Sequence, residues 1–567
     1  MPPLEDQIIA RFPQWFGGRR ARLLRPLLRG WGRWSGVERA IQFLQAYPQL
    51  RDWDFVDAAR SWLRLDYAVE QGAAARIPAR GGLLIVANHP CGARDALALL
   101  DLVGQVRRDV RVVANEWLVL LQPLRGLLLP VRVFGGGTGA ASLRAVRDAL
   151  RGGACVIVFP AGEVSRLGPR GVSDRRWNAG FLHFARTAKV PVLPVRVKAR
   201  NSALFYGASA LFAPLGTALL PREALAARRR RVSLHVGQPL QPELHDQRIS
   251  LAQVRRAVYA LGRGRTPLQR APQPLALPAD PHALAAAIAA LQPLGSTHDG
   301  KRIVSGRLDP DGVLMGEVGR LRELTFRRVG EGSGRSVDID RYDAWYEHIL
   351  LWDAPARRIV GAYRVAEAGA VLAARGLDGL YTASQYDYAP AALARLRQGA
   401  ELGRSFVVPD YWGSRSIDML WQGIGAWLAR RPQVRWLYGA ASMSQALPLA
   451  ARERIVAYYR RYFAAPAVLA TARTPFRFAA AAPDFGALQA EAAFALLRAE
   501  LQALGVAVPT LMRQYAELCE PGGTCFLAFG VDADFGSVDG LIELDLARML
   551  PSRRKRYLGR ATTGETA

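Results

Sequence analysis

The sequence predicts an α/β protein made of two units in succession, and three observations carry that reading. From about residue 76 to 245, apolar runs of strand length alternate with helix-length stretches, the signature of a layered α/β architecture. From about 264 to 300 the chain carries Pro267, Pro272, Pro274, Pro278 and Pro281 around one short Ala-rich helix, Pro281 to Leu291. Beyond it the pattern restarts as helix, antiparallel hairpin, strand, helix and strand. The expected organisation is a helical extension over 1–75, a first α/β domain over 76–245, and a helix with a proline-rich linker over 246–300. A second α/β domain follows over 301–550, then a basic tail over 551–567.

Composition narrows the function classes. A chain of 567 residues that is half apolar forms a sizeable core and two or three domains. Lys and Arg number 76 against 48 Asp and Glu, a net charge of +28 that attracts anionic lipid, nucleic acid or an acidic protein. The arginines are spread through the chain and no nucleic-acid-binding motif occurs, which argues against nucleic acid. Cys91, Cys155, Cys519 and Cys525 stand singly, which argues against a disulfide framework or a zinc site and for a reducing compartment. The first residues lack a signal-peptide pattern. Trp117 to Phe134, the best apolar stretch, is interrupted by Gln122, Pro123, Arg125, Gly126, Pro130 and Arg132 and does not read as a membrane span.

In the extension, Leu24, Leu27, Leu28, Trp31 and Trp34 share one helical face, while Arg22, Arg25, Arg29 and Arg33 share the opposite one. That pattern fits a helix lying in a membrane interface, or an amphipathic helix packed on the neighbouring domain. Pro26 reads as a first-turn residue, and Gly30 and Gly32 argue against one straight helix.

In the first domain, Leu83-Leu84-Ile85-Val86 reads as a buried strand and leads into Ala87-Asn88-His89-Pro90-Cys91-Gly92-Ala93-Arg94-Asp95. An imidazole at a sheet's carboxyl edge, with a carboxylate in reach, suits a general base that takes a proton from a hydroxyl. A loop histidine beside a helix-capping Asp is the plainer reading of those two residues alone. A second run, Cys155-Val156-Ile157-Val158, leads into Phe159-Pro160-Ala161-Gly162-Glu163-Val164-Ser165-Arg166, and Val190-Pro191-Val192-Leu193-Pro194-Val195 follows. These three blocks resemble the glycerolipid acyltransferase superfamily, with its Asn-His…Asp and Phe-Pro-x-Gly-Glu boxes. Five residues separate His89 from Asp95 where four are usual, which looks like the hemolysin-like and ornithine-lipid branch. The resemblance runs from Arg76 to Leu240 and makes the first domain glycerolipid-acyltransferase-like. Arg228-Arg229-Arg230-Arg231 reads as a solvated turn ahead of the strand Val232 to Val236, with phosphate docking as the alternative.

In the second half, Val313 to Val329 has helical spacing, with Leu314, Val318, Leu321 and Leu324 on one stripe. His348 to Trp352 and Arg358 to Arg364 read as a hairpin around Asp353-Ala354-Pro355, and Glu401 to Val408 as a strand. Ser414 is placed to cap a helix from Arg415 to Arg430, with Trp436 to Ala440 as the next strand. This is the element order of the GNAT acyltransferases. Arg322-x-x-x-Phe326, Asp340-x-x-Asp343, Val360 to Arg364 and Glu401-Leu402-Gly403-Arg404 resemble the acyl-homoserine-lactone synthase and ornithine N-acyltransferase branch. The segments Val508 to Thr510, Cys519-Glu520-Pro521-Gly522-Gly523 and Gly530-Val531-Asp532 resemble the ornithine-lipid members. The resemblance spans about 305 to 545. Pro409-Asp410-Tyr411-Trp412-Gly413-Ser414 offers one glycine where the GNAT phosphate loop usually has more, which favours a carrier-protein phosphopantetheine arm over coenzyme A.

The resemblances imply two chemistries. For O-acylation, His89 is the expected base with Asp95 holding its imidazole. Asn88, Gly162, Glu163 and Arg166 are the expected acceptor contacts; glycine permits close approach, Glu163 suits a cationic amine and Arg166 an anionic group. For N-acylation, Glu401 is the expected base, Arg404 the anchor of an amino acid's carboxylate, and Asp340 and Asp343 anchors of its side-chain amine, with Arg322 in the same substrate site. A surface ion-pair network is the competing reading of Asp340, Asp343 and Arg404. The implied enzyme is a peripheral acyltransferase at the cytoplasmic face of the inner membrane, without a transmembrane helix. Its second domain would N-acylate an amino acid, ornithine by resemblance, with a 3-hydroxyacyl group, and its first would O-acylate the resulting lyso-lipid. The expected donor is acyl carrier protein (or acyl-CoA), with no bound cofactor and no metal; the expected partners are that carrier, an anionic membrane surface and the lyso-lipid. The alternatives are a lysophospholipid acyltransferase whose GNAT half has another specificity, and a basic nucleic-acid-binding protein.

Overall fold

A computed structural model describes residues 26–27, 30–115, 121–131, 140–168, 171–225, 232–244, 247–264 and 267–559. The chain divides into two compact units, Met1–Leu277 and Pro278–Ala567.

The first unit is built on an eight-stranded sheet. Its order is Leu268–Arg270, Tyr67–Glu70, Val232–Val236, Val192–Lys198, Leu83–Ala87, Cys155–Val158, Val110–Asn115 and Leu128–Val131. The strands Leu83–Ala87 and Cys155–Val158 are buried along their whole length, because helices cover both sheet faces and parallel central strands must then be apolar at every position. Side chains alternate between two cores. Leu83, Ile85 and Ile157 face the helices Asp52–Trp62 and Ala93–Gly104, while Leu84, Val86 and Val156 face Ala140–Arg151, Gly180–Ala188 and Leu251–Ala260.

The structure differs from the expected boundaries at both ends of this unit. The extension over 1–75 contributes the strand Tyr67–Glu70, which pairs in parallel with Val232–Val236 inside the main sheet. Much of the stretch expected as a linker is taken up by the two folds. Leu251–Ala260 packs on the first sheet through Val254 and Val258, and Leu268–Arg270 adds an edge strand to it. Pro281–Ala289 belongs to the second unit, where Asp280 caps it by accepting from the Ala283 N–H at 3.1 Å and Leu284 and Ile288 are buried. Prolines here open a helix and flank an edge strand, positions that tolerate them. Of the helix proposed to lie in an interface, Arg22, Leu24, Arg25, Leu28 and Arg29 lie outside the described residues, as do Arg228–Arg231. Its described part touches the first unit: the Trp31 indole donates to the Ala218 carbonyl at 3.4 Å and the Arg222 guanidinium lies 4.1 Å from the Trp34 ring. Among the described residues no helix is long and apolar enough to cross a membrane.

The second unit carries another eight-stranded sheet. Its order is Gln292–Ser296, Arg302–Arg307, Glu347–Asp353, Arg358–Glu367, Gly399–Val407, Trp436–Ser444, Ser537–Asp545 and Thr524–Asp532. Every neighbouring pair is antiparallel except Gly399–Val407 with Trp436–Ser444, which run parallel and pair only over 399–401 and 436–438. Beyond those residues the two strands no longer bond to each other. The helix Val313–Arg328 covers one face, and Ser416–Ala429, Leu449–Tyr462 and Ala490–Ala503 cover the other. The expected cap Ser414 sits one residue outside the observed Arg415 N-cap and accepts from the Ser416 N–H at 3.3 Å. The first part of the basic tail is a helix, Pro551–Tyr557, whose Arg556 grips Asp418 with two bonds of 2.7 and 2.6 Å. It crosses Ser416–Ala429 at Gly425, where a Cβ would stand 1.8 Å from the Tyr557 carbonyl oxygen, so only glycine fits.

Two candidate acyl-transfer sites

The first site follows from strand direction. Leu83–Ala87 and Cys155–Val158 are parallel neighbours, so the loops after them leave the same edge of the sheet. This sets the His89 ring 4.1 Å from the Phe159 ring, with His89 Nδ1 at 3.4 Å from Asp95 Oδ2. Asp95, in the first turn of Ala93–Gly104, is fully buried and accepts from the Cys91 and Gly92 N–H groups. Gly92 has φ +76, a value glycine adopts without strain. Burial pushes His89 down to about 4 and Asp95 up to about 8, the latter against its two backbone donors. A proton taken up by His89 would draw Asp95 back toward its anion.

Asn88, expected among the acceptor contacts, is buried and engaged within the sheet. Its amide donates to the Val197 carbonyl at 2.9 Å and accepts from the Val197 N–H at 2.7 Å, locking the His89 loop to the next strand. Asn88→Ala is expected to cost about 1–3 kcal/mol of stability, read as a lower urea midpoint, because two buried backbone groups lose their partner. The second box is joined to the first by the Ser165 N–H, which donates to the His89 carbonyl at 2.8 Å. Gly162 has φ +65, and Glu163 is partly exposed at 3.9 Å from Arg166. Arg166 donates to Ser209 Oγ at 2.7 Å and lies over the Phe205 ring.

Asp174 is absent from the sequence reading. It is buried, accepts from the His89 N–H at 3.2 Å and from the Trp177 indole at 2.8 Å, and binds the Ser165 hydroxyl. It ties the two boxes to one carboxylate, and no spacing in the chain marks it. Because His89 is held neutral far below the usual imidazole range, O-acyl transfer should stay near its plateau from pH 7 to about 5. It should fall only as the pH approaches about 4. An unperturbed histidine would lose half its activity near pH 6.5.

In the second unit the expected residues come together, but in a buried ion cluster. Arg322 donates to Asp343 at 2.9 Å, His348 Nε2 meets the same carboxylate at 3.1 Å, and Arg364 reaches Asp340 at 2.6 Å and Asp343 at 3.2 Å. Arg404 reaches Asp338 at 3.1 Å and Asp340 at 3.3 Å. Arg322 and Arg364 are fully buried, so this is neither an open amine subsite nor a surface network. Burial alone would raise Asp343, but Arg322, His348 and Arg364 outweigh it and hold it well below the carboxylate range. Asp343 and Arg322 therefore hold the fold at this place.

Glu401 also departs from expectation. It is 1% exposed, and it accepts from the Tyr346 hydroxyl, the Tyr381 N–H at 3.2 Å and the Thr382 N–H at 2.7 Å. With three donors on it the carboxylate fastens the 380–384 turn, while burial raises it above the ordinary carboxylate range. Arg404 lies three residues on, where the pairing of Arg358–Glu367 with Gly399–Val407 shifts and its own φ is +49. Such a conformation costs about 1–3 kcal/mol in a non-glycine residue. It turns the guanidinium onto Tyr381 and Phe535 at 4.6 and 4.4 Å.

Around Arg404, past the point where the parallel strands part, sit carboxylates to which the sequence reading gave no role. Glu331 accepts from Ser442 Oγ at 2.9 Å; Ser442 is cross-strand from Asp539, and Asp539 accepts from Ser537 Oγ at 2.7 Å. Asp532 accepts from Gln385 at 2.6 Å. Burial, with Asp539 and Asp532 nearby, raises Glu331 to about 7, and burial raises Asp539 to about 6. The only sequence mark of Glu331 is its setting in Val329-Gly330-Glu331-Gly332. Among the described residues no group of three or more His, Cys, Asp or Glu is arranged to hold a metal ion.

Residues 19–259 match the Acyltransferase family model and residues 321–422 match the Acetyltransferase (GNAT) domain model. With two sheet-bearing units of these kinds, the protein is an acyltransferase that transfers acyl groups from an acyl donor. The chain is 30% identical over 271 residues to the glycine Nα-acyltransferase of Bacteroides thetaiotaomicron, covering 43% of this chain and 77% of that protein. It is 28% identical over 219 residues to the lyso-glycine lipid O-acyltransferase of the same organism, 37% of this chain and 79% of that protein. The L-ornithine Nα-acyltransferase of Brucella abortus is 32% identical over 170 residues, 25% of this chain and 59% of that protein. The chain belongs to the acyltransferase family that includes the amino-acid Nα-acyltransferases.

Proposed function

We propose that the chain makes a diacylated amino-acid lipid in two steps, N-acylation in the second unit and O-acylation in the first. The observation that carries this reading is that one chain resembles both an Nα-acyltransferase and a lyso-lipid O-acyltransferase, which are separate proteins in Bacteroides thetaiotaomicron. In the second unit, the unpaired edges past 399–401 and 436–438 suit an extended thioester arm held by backbone bonds. Glu331 takes the proton from the amino acid's amine, the nitrogen attacks the thioester carbonyl and the thiol leaves; Arg404, Asp532 and Asp539 flank the acceptor. The donor is a 3-hydroxyacyl group on acyl carrier protein. In the first unit, His89 Nε2 takes the proton of the 3-hydroxyl, whose oxygen attacks the carbonyl of a second thioester; the C–S bond breaks, and the imidazolium, steadied by Asp95, returns its proton to the leaving thiolate.

The carboxylates around Arg404 favour an acceptor with a second amine, and ornithine is the amino acid we assign. Glycine is the second reading, favoured by the glycine relative. Equal mixtures of the two labelled amino acids, offered with 3-hydroxyacyl carrier protein, test this. Ornithine should dominate the lyso-lipid product; mostly glycine product would reverse the assignment. Having both sites on one chain raises the effective concentration of the intermediate. We place the enzyme as a peripheral protein on the cytoplasmic face of the inner membrane, where lyso-lipid and acidic carrier protein meet its +28 charge.

A further inference from the structure

In the first unit the chain from Asn201 to Pro221 carries no charged residue and lies between Arg200 and Arg222. It forms two helices, Ala203–Leu211 and Ala213–Leu225, that turn at Phe212. They pack so closely that a Cβ on Gly216 would stand 2.0 Å from Ser209 Oγ. The inner side of the pair is ordinary core, with Phe205, Tyr206 and Leu219 buried against Val164 of the second box. The outer side is not an ordinary surface. Leu204 is 53% exposed, Leu211 87%, Phe212 59% and Leu215 51%. Leu167, on the neighbouring hairpin Arg166–Gly168/Gly171–Ser173, is 61% exposed. A helix facing water carries polar residues on that side, and contiguous exposed apolar groups mark a binding surface.

We propose that the tip of this hairpin, around Leu211 and Phe212, inserts into the surface layer of an anionic lipid bilayer and presents the first site to acceptors held there. The proposal rests on the lipid-acceptor reading above. The first helix has nine residues, about 14 Å, far short of the ~30 Å hydrocarbon core, so the hairpin dips into the interface and does not cross it. Charge selects the occupant. Arginines bracket the uncharged run, Arg228–Arg231 follow in sequence, and the chain as a whole is strongly cationic, a combination that matches anionic headgroups above an apolar layer. The site connection is direct, because Arg166 of the second box is bonded to Ser209 on the first helix.

The test is co-sedimentation of the full chain with phosphatidylcholine vesicles, with and without phosphatidylglycerol, at low and high salt. Two double variants are compared, Leu211→Glu with Phe212→Glu, and Leu211→Gln with Phe212→Gln. Leu268→Glu, at an exposed apolar position on the sheet edge, is the control. Both double variants should weaken binding to phosphatidylglycerol vesicles by about tenfold or more, and the control should bind as wild type. The neutral Gln pair separates lost insertion from charge repulsion, and unchanged circular dichroism shows that the variants fold. O-acyl transfer to a detergent-dispersed short-chain lyso-lipid should be unchanged in all of them. Wild-type vesicle binding by both double variants would overturn the proposal. So would a wild-type dimer that the variants convert to monomer without loss of vesicle binding, which would assign the face to a second copy. Absence of O-acyl transfer in the wild type, with binding lost as expected, would instead count against the catalytic reading alone.

Discussion

His89→Ala is expected to lower O-acyl transfer by about 10²- to 10⁴-fold, the usual cost of losing a positioned base, while N-acyl transfer continues. In cells the mono-acylated lyso-lipid should accumulate as the diacyl lipid disappears. The expectation follows from geometry: His89 Nδ1 is turned to Asp95 at 3.4 Å, so Nε2 is the nitrogen left for the hydroxyl. Folding should be little affected, because the tie to Asp174 runs through the His89 backbone N–H and survives the substitution. Wild-type levels of diacyl lipid from His89→Ala would remove the O-acyltransferase assignment from this site.

Glu331→Gln is expected to lower N-acyl transfer by about 10²-fold or more while the unit stays folded, since Gln keeps an oxygen for the 2.9 Å bond from Ser442. Glu401→Gln should behave differently. Gln turns one acceptor oxygen into a donor facing the Tyr381 N–H and the Tyr346 hydroxyl, so its main effect should be lost stability, about 1–3 kcal/mol, seen as a lower urea midpoint. Synthetic lyso-lipid supplied to Glu331→Gln should restore the diacyl product through the first unit. The pH profiles should also part. A carboxylate raised to about 7 takes up its own proton as pH falls through that value and can no longer accept one from the amine, so N-acyl transfer should decline below pH 7, where O-acyl transfer is still at its plateau. Full N-acyl activity in Glu331→Gln, with activity lost in a folded Glu401→Gln, would return the base to Glu401.

The two folds were legible where the chain repeats a physical pattern. Leu83–Ala87 and Cys155–Val158 are apolar throughout, so they read as buried strands, and the loops that follow them carry the first candidate site. The hairpin Glu347–Asp353/Arg358–Glu367 was legible from two apolar runs around Asp353-Ala354-Pro355, and the helix Val313–Arg328 from helical spacing. Short edge elements were not. Tyr67–Glu70 and Leu268–Arg270 are too brief to show a period, and Pro267 made the latter look like linker. The second site was legible as a set of residues but not as roles. Whether Glu401 meets substrate or three donors depends on Tyr346, Tyr381 and Thr382, brought in by the fold from other elements. Glu331 and Asp539 likewise come together only in the fold, around Ser442, which bonds the first and lies cross-strand from the second. The uncharged run Asn201–Pro221 does not stand out in the sequence because its Ser, Gly and Thr interrupt the apolar pattern, although the folded hairpin turns Leu204, Leu211 and Leu215 outward.

The most direct test of the two-step reading is a lipid extract from cells that make no amino-acid lipid of their own, expressing the wild-type chain and fed isotope-labelled ornithine. Mass spectrometry should find a new lipid carrying one ornithine, one amide-linked 3-hydroxyacyl chain and one ester-linked acyl chain. His89→Ala should leave only its mono-acylated form, and Glu331→Gln should yield neither. A folded, abundant wild-type protein that produces no labelled or unlabelled amino-acid lipid, and instead shifts the balance between lysophospholipid and phospholipid, would contradict it.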